Sequence, residues 1–164
     1  MRTHQFLQTR TGDDQIALGD YLRALEDHFH LITRDRRLTA TVVENSCADP
    51  VMLWAEIIPA VGMLVTERLL TIDPADRNDL EHVEVSAELD GQRASLVIRG
   101  RDTASRSLPI RYRSTASSLL FVRRLLSQIG GASATVPDGS EGSAFSFPAV
   151  GKIGLGEEQN LAIS

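Results

Sequence analysis

The longest apolar run of the chain, VMLWAEIIPAVGMLVTERLLTI at residues 51–72, constrains the fold more than any other feature. From Pro59 onward its apolar residues recur at the spacing of one helix face and predict a central, buried helix. These residues are Val61, Leu64, Val65, Leu69 and Ile72. Because proline lacks a backbone N–H and clashes with the preceding turn, Pro59 predicts either a kink or a fresh helix start.

The run is as long as a membrane span, but its charged residues argue against insertion into a bilayer. Glu56, Glu67 and Arg68 lie within it, together with the proline. The chain opens with MRTHQFLQTR, which lacks the apolar core of a signal peptide. We therefore expect no membrane insertion and a cytoplasmic location.

Composition narrows the class of protein further. The 164 residues are 42% hydrophobic and 24% charged, which predicts one domain with a substantial core. The net charge of -5 disfavours binding to nucleic acid by counterion release, so we expect no nucleic-acid partner. The single cysteine, Cys47, allows no internal disulfide and suits a reducing compartment.

Helical spacing and alternation predict further elements on both sides of the central run. We expect helices over residues 18–29 and 119–129, the second ended by Gly130 and Gly131. We also expect a strand over residues 38–43 and two hairpins, of which the first turns at Asp90-Gly91 and has one solvent-exposed face. The hairpin strands cover residues 83–89, 94–98, 132–136 and 143–147.

Residues 99–113, called the arginine segment below, show no sustained periodicity and carry five arginines. This pattern predicts an exposed loop. Arg99, Arg101, Arg111 and Arg113 could hold a phosphate or an acidic partner surface through forked hydrogen bonds. The plainer interpretation is a loop kept soluble by its charges, and the sequence leaves both open.

The order of these elements is helix, strand, helix, two strands, loop, helix, two strands. Because no strand-helix-strand repeat runs through it, a doubly wound parallel sheet is disfavoured. We predict an α+β fold with a mixed, mostly antiparallel sheet covered on one face by helices. Residues 1–15 are interpreted as a polar lead, residues 16–148 as the domain and residues 149–164 as a flexible tail.

Four stretches carry a family resemblance: LGDYLRAL, LVTERLL, SSLLFVRRLLSQIGG and GSEGSAFSFP. Residues 16–148 resemble the ATP-binding domain of sensor histidine kinases, closest to the HWE subfamily of the GHKL (Bergerat-fold) ATPases. The resemblance implies a two-layer α/β sandwich in which ATP lies between helices and a mobile lid. It places the lid at the arginine segment and implies that the lead ends a connection from a dimerisation and phosphoacceptor domain.

The resemblance also implies where nucleotide-binding residues should lie in the central helix. The family has an Asn-Glu pair there and, five residues after the first Asn, a second Asn that holds magnesium. Aligned on Leu64-Val65-Thr66, these positions are Gly62, Met63 and Glu67. Aligned on Pro59, they are Val65, Thr66 and Leu70. Neither alignment supplies an asparagine, and Glu67 alone would be a poor magnesium site.

The family's Asp-x-Gly-x-Gly box, whose aspartate reads the adenine amino group, matches residues 100–104. Asp102 reaches the adenine position after a shift of one or two residues, but Gly100 precedes it and Ala104 stands where a glycine is expected. The glycine that opens the family's last helix against the phosphates matches Ser118. The resemblance therefore implies a nucleotide site whose equivalents have degenerated: Gly62, Met63, Glu67, Gly100, Asp102, Ala104 and Ser118.

Other candidate sites have plain interpretations. His28 and His30 are two apart on a helix and do not share a face, which favours surface histidines over a metal site. Cys47 has no neighbouring cationic cluster that would activate its thiol. GKIGLG at residues 151–156 imitates a phosphate loop, but no strand precedes it and too little chain follows for a helix. We expect no metal.

Two functions from different classes remain open. The first is a non-catalytic module that acts in two-component or phosphorelay signalling by docking a response regulator or a partner histidine kinase, with no cofactor. The second is an active but divergent histidine kinase or anti-sigma-type kinase domain that binds ATP and magnesium through Glu67 and Asp102. The chain could also be a fragment of a longer kinase.

Overall fold

A computed structural model describes residues 14–35, 37–43, 50–73, 80–90, 92–134, 136 and 142–150. These residues form four helices and eight strands. The helices are α1 (Leu18–Ala24), α2 (Glu26–Arg34), α3 (Ile58–Leu70) and α4 (Ala116–Gln128). The strands are β1 (Gln15–Ala17), β2 (Thr39–Val43), β3 (Met52–Trp54), β4 (His82–Asp90), β5 (Arg93–Arg101), β6 (Ser107–Leu108), β7 (Ala132–Ala134) and β8 (Ser143–Pro148).

Six of the strands form one mixed sheet in the order β2-β4-β5-β8-β7, with β6 paired to β5. Strands β2 and β4 are parallel, and all other neighbours in this sheet are antiparallel. Both predicted hairpins are present as β4 with β5 and β7 with β8. The α+β class and the helix-covered mixed sheet are thus confirmed.

Helix α3 lies at the centre of the core, as the apolar run predicts. It begins at Ile58, and Pro59 occupies its first turn, where a missing N–H costs no hydrogen bond. Of the two predicted outcomes at Pro59, the fresh helix start is therefore the correct one. The run also contains a strand that helical spacing did not reveal, because β3 pairs antiparallel with β1 over only three residues.

The predicted exposed face of the middle hairpin is wrong for β5, where residues 94–100 are all buried. One face of β5 packs into the main core, while Val97 on the other face packs with Val136 and Ala144. Arg99 is also buried, and its guanidinium pairs with Glu88 on β4 at 3.0 Å. A central strand that is covered on both faces does not show the alternation of apolar and polar residues that marks a solvent-exposed face.

The remaining differences concern element ends. The predicted first helix is divided at Leu25, whose N–H donates to both Tyr21 and Leu22 carbonyls and so tightens the turn. Residues just outside 16–148 also take part in backbone pairing, since Gln15 lies in β1 and the Val150 N–H donates to the Met52 carbonyl at 2.8 Å. Gly130 ends the last helix as expected, at a φ of 66 degrees that favours glycine.

None of the helices in the part of the chain described by the structure is long and apolar enough to cross a membrane.

Candidate functional site

The polar side of α3 faces α4, and two of the predicted nucleotide-site residues meet there. The Ser118 hydroxyl donates to Oε1 of Glu67 at 2.6 Å. Ser118 lies in the first turn of α4, where its own N–H donates to the Thr115 hydroxyl that caps the helix. The structure therefore brings Glu67 and Ser118 together.

Arg68, the next residue on α3, packs against the arginine segment. Its guanidinium carbon lies 3.6 Å from the centroid of the Tyr112 ring, a cation–π geometry. Its Nη1 donates to the Ser114 hydroxyl at 3.4 Å. Its Nε is buried and has no hydrogen-bond acceptor among the described residues. Sequence reasoning missed Arg68, and only the polar break Thr66-Glu67-Arg68 in an apolar run signalled it.

Tyr112 is held from a second side by the closing hairpin. The Ser143 hydroxyl donates to the Tyr112 hydroxyl at 2.9 Å. Burial raises the pKa of Tyr112, although the hydrogen bond from Ser143 and the charge of Arg68 act in the opposite direction. The ring is therefore neutral at physiological pH and presents its face to the guanidinium.

Backbone hydrogen bonds fasten the end of the arginine segment to the end of α3. The Arg113 N–H donates to the Thr71 carbonyl at 2.6 Å, and the Asp73 N–H donates to the Arg111 carbonyl at 2.9 Å. Ile72 and Tyr112 form the antiparallel bridge between them. The predicted exposed loop is thus wrong at the start of the segment, which lies in β5 and is buried. Residues 103–107, 109, 111 and 113 are exposed as expected, although the end of the segment is bonded to the residues that follow α3.

Asp102 folds a tight turn within the arginine segment. Its Oδ1 accepts from the N–H groups of Ala104 at 2.9 Å and Arg106 at 2.8 Å, and its Oδ2 accepts from Arg106 Nε at 3.0 Å. The backbone hydrogen bond from Arg106 is the main cause that lowers the pKa of Asp102, against the opposing effect of burial. Both carboxylate oxygens and the Ala104 N–H are thus engaged in the turn.

Packing between strands explains why residue 100 is a glycine. A Cβ at this position would lie 2.8 Å from the Leu108 carbonyl oxygen and 2.6 Å from a Leu80 methyl carbon. Gly100 therefore permits β6 to pair closely with β5, where Gly100 and Leu108 are partners.

Gly62 and Met63 lie on the side of α3 that faces α1. A Cβ on Gly62 would collide with the Tyr21 hydroxyl, so this glycine permits close helix packing. Met63 is 46% exposed and lines a cavity of about 450 Å³ with Gly62, Glu67 and Phe121. At the positions of the alternative alignment, Val65 is fully buried and Leu70 is 42% exposed.

The four arginines predicted to contact phosphate are engaged in different places. Arg99 pairs with Glu88 at 3.0 Å, and Arg101 pairs with Glu84 at 3.2 Å, both on β4. Arg113 instead pairs with Asp73 at 3.2 Å, beyond the end of α3. Arg111 contributes its carbonyl to the contact with Asp73 and is exposed. The phosphate-binding or partner-binding role of this set stays a prediction.

Metal ligands and the other motifs add little to the site. Among the residues that the structure describes, no group of three or more His, Cys, Asp or Glu side chains is placed to hold a metal ion. His28 lines the cavity beside Met63. Cys47 and residues 151–156 lie outside the described residues.

Only the comparison with solved structures found proteins similar to this chain. No protein-family model matches the sequence, and no curated protein matches it. Among solved structures, the Erythrobacter litoralis EL346 blue-light activated histidine kinase matches with a TM-score of 0.57 at 18% identity. That match covers 89% of this chain and 50% of the kinase, so the chain spans half the length of that protein.

Two further solved structures match over most of this chain. Full-length ShkA, solved in complex with AMPPNP, gives a TM-score of 0.53 at 15% identity, covering 82% of this chain and 30% of ShkA. The nucleotide-free catalytic domain of ThkA gives 0.52 at 12% identity, covering 82% of this chain and 93% of that domain. The chain therefore has the fold of a histidine kinase catalytic domain.

Proposed function

We propose that this chain is a non-catalytic relative of histidine kinase ATPase domains. It acts in two-component or phosphorelay signalling by protein contact, in the cytoplasm, and it neither turns over ATP nor holds a cofactor. Its partner is a response regulator or a histidine kinase.

The contact between α3 and the arginine segment carries this proposal. The resemblance places ATP between the central helix and a mobile lid, and the arginine segment stands at the lid. Here Arg68 of α3 packs directly on Tyr112 of that segment, 3.6 Å from its ring centroid. Backbone hydrogen bonds between residues 71–73 and 111–113 close the same space next to this pair. A nucleotide seated between Arg68 and the arginine segment would have to break these contacts.

The groups that would grip the nucleotide support the same conclusion. Glu67, at the magnesium position, accepts a hydrogen bond from the Ser118 hydroxyl. The other two family positions on this helix, Gly62 and Met63, carry neither a carboxylate nor an amide that could complete a magnesium site. Asp102, at the adenine position, uses both oxygens within its own turn. Binding would therefore cost the hydrogen bonds that order this part of the chain.

A protein partner is supported by exposed apolar side chains on two neighbouring helices. Leu119 and Leu120 of α4 are each 49% exposed, and Phe121 is 36% exposed. Phe121 lines one cavity with Met63 of α3. Exposed apolar side chains that lie beside one cavity, as Phe121 and Met63 do, are typical of protein interaction sites.

Isothermal titration calorimetry with ATP and magnesium tests the nucleotide half of the proposal. We expect no saturable heat for this chain, whereas ShkA titrated with AMPPNP serves as the positive control. Magnesium-dependent binding with micromolar affinity would contradict the proposal. If Asp102→Ala then abolished that binding, the active-kinase alternative would replace it.

Binding to purified response regulators and histidine kinase dimerisation domains tests the partner half. We expect at least one of them to bind and Leu120→Glu to weaken that binding by about tenfold or more, because a charge would replace a buried apolar contact. Binding that is indifferent to Leu120→Glu, or absent throughout the panel, would contradict the partner half.

A further inference from the structure

A second cavity, of about 410 Å³, lies between α4 and the closing hairpin and is reached by one residue of α3. Val122, Leu126 and Phe145 form apolar walls, while Arg68 and Arg123 supply positive charge. No residue of the arginine segment lines it, so it is distinct from the space between α3 and that segment. We propose that this cavity binds a small organic acid, with an apolar body and one carboxylate.

The two arginines that line the cavity indicate that its ligand is an acid. Neither Arg68 nor Arg123 has a carboxylate partner within the described parts of the chain. Arg68 lines the cavity, and its guanidinium carbon lies 3.6 Å from the Tyr112 ring centroid, a contact that restricts where the guanidinium can lie. A planar cation restricted in this way favours a carboxylate, which accepts two parallel hydrogen bonds from it.

The size and the apolar lining of the cavity indicate that the ligand is small and has an apolar body. Binding sites for small molecules are usually apolar clefts of a few hundred Å³ with a few polar groups that orient the ligand. Here Ser133 and Ser143 are the remaining lining residues with polar side chains. Asp102, which could read an adenine amino group, is not part of it. The site thus goes beyond the proposed function, which requires no small ligand.

Titration of the full chain with 1-naphthoate, followed by nuclear magnetic resonance, tests the site. The Nε–H signal of Arg68, assigned by its loss in Arg68→Gln, should shift in a saturable way. Neutral 1-naphthamide should bind about tenfold more weakly or worse, because it cannot form the charge-assisted hydrogen bonds. Absence of a saturable shift, or equal binding of the amide, would overturn the proposal.

Two neighbouring arginines of α4 provide a matched pair of variants. Arg123 lines the cavity and Arg124 does not, although both are exposed. Arg123→Gln should weaken 1-naphthoate binding by about threefold to tenfold, and Arg124→Gln should change it by less than about twofold. Equal effects of the two variants would show only a general charge effect and would refute the site. This outcome is independent of the calorimetry with ATP, which tests the space between α3 and the arginine segment.

Discussion

The two sides of helix α3 differ in what they contact and in how well their residues match the pattern of the family that the sequence resembles. The side facing the sheet is apolar, and Val61, Leu64, Val65 and Leu69 are all completely buried. The other side carries Glu67 and Arg68, which contact Ser118 of α4 and Tyr112 of the arginine segment. The first side retains the pattern of a buried helix, whereas the second lacks the asparagines expected there.

Under the proposed function, this difference means that the scaffold and the nucleotide chemistry of such a domain are separable. Burial of the apolar side stabilises the fold whatever the polar side carries. Side chains on the polar side can therefore change from ligands of a nucleotide to partners of one another without loss of the fold. The following predictions test this separation, from the largest expected effect to the smallest.

Truncation of the buried side should be the most damaging change. Leu64→Ala removes a fully buried side chain and should lower the free energy of unfolding by about 2–5 kcal/mol, because it leaves a cavity. Leu70→Ala, on the same helix at 42% exposure, should cost less than about 1 kcal/mol. Chemical denaturation measures both. Equal losses would mean that α3 does not have two distinct sides.

Gly100→Ala should cause the next largest loss of stability. Gly100 belongs to a predicted nucleotide box, but in this structure the close pairing of β5 with β6 requires a glycine there. The new Cβ would lie 2.8 Å from a backbone oxygen that cannot rotate away, at a cost of about 1–3 kcal/mol. Gly19→Ala is the matched control, since nothing lies within 4 Å of a Cβ there. Thermal denaturation should separate the two variants, and an unaffected Gly100→Ala would remove the structural explanation.

The contact between Arg68 and Tyr112 should contribute a smaller but measurable coupling. A double-mutant cycle with Arg68→Ala and Tyr112→Leu should give a coupling energy of about 0.5–2 kcal/mol, the range for a cation–π pair. Unfolding in urea at several salt concentrations measures it. A coupling near zero would mean that the two side chains are adjacent without holding the segment to α3.

The smallest effect should be a pH dependence that originates at Asp102. Because its pKa is lower in the folded state than in the unfolded state, its stabilising effect is present above about pH 4 and is lost as pH falls. The stability difference between the wild type and Asp102→Asn should therefore narrow between about pH 5 and pH 2. Urea denaturation across this range measures it. A constant difference would show that the carboxylate charge does not hold the turn.

Much of the fold could be predicted from the sequence because long apolar patterns record burial directly. Helices α3 and α4, both hairpins and the stop at Gly130 follow from spacing and from glycine chemistry. Strands β1 and β3 could not be predicted, because each has only three residues and, unlike β7, neither is joined to its partner strand by a short connection. The burial of both faces of β5 depends on Val136 and Ala144, which are remote in sequence.

The candidate site was predictable only in part. The resemblance singled out Glu67 and Ser118, and the structure places them in contact. It could not reveal that Arg68 packs on Tyr112, because that contact joins residues 44 positions apart and has no counterpart in a short motif. The internal use of Asp102 was equally hidden, since its partners Ala104 and Arg106 have no distinctive spacing.

The closed contact between α3 and the arginine segment is tested most directly by nuclear Overhauser effects between the Arg68 side chain and the Tyr112 ring. These should be observed in the free protein, where the two groups lie 3.6 Å apart, and should persist unchanged in millimolar ATP with magnesium. Their saturable loss on addition of ATP, reversed by removal of magnesium, would show that the space opens to a nucleotide and would contradict the account.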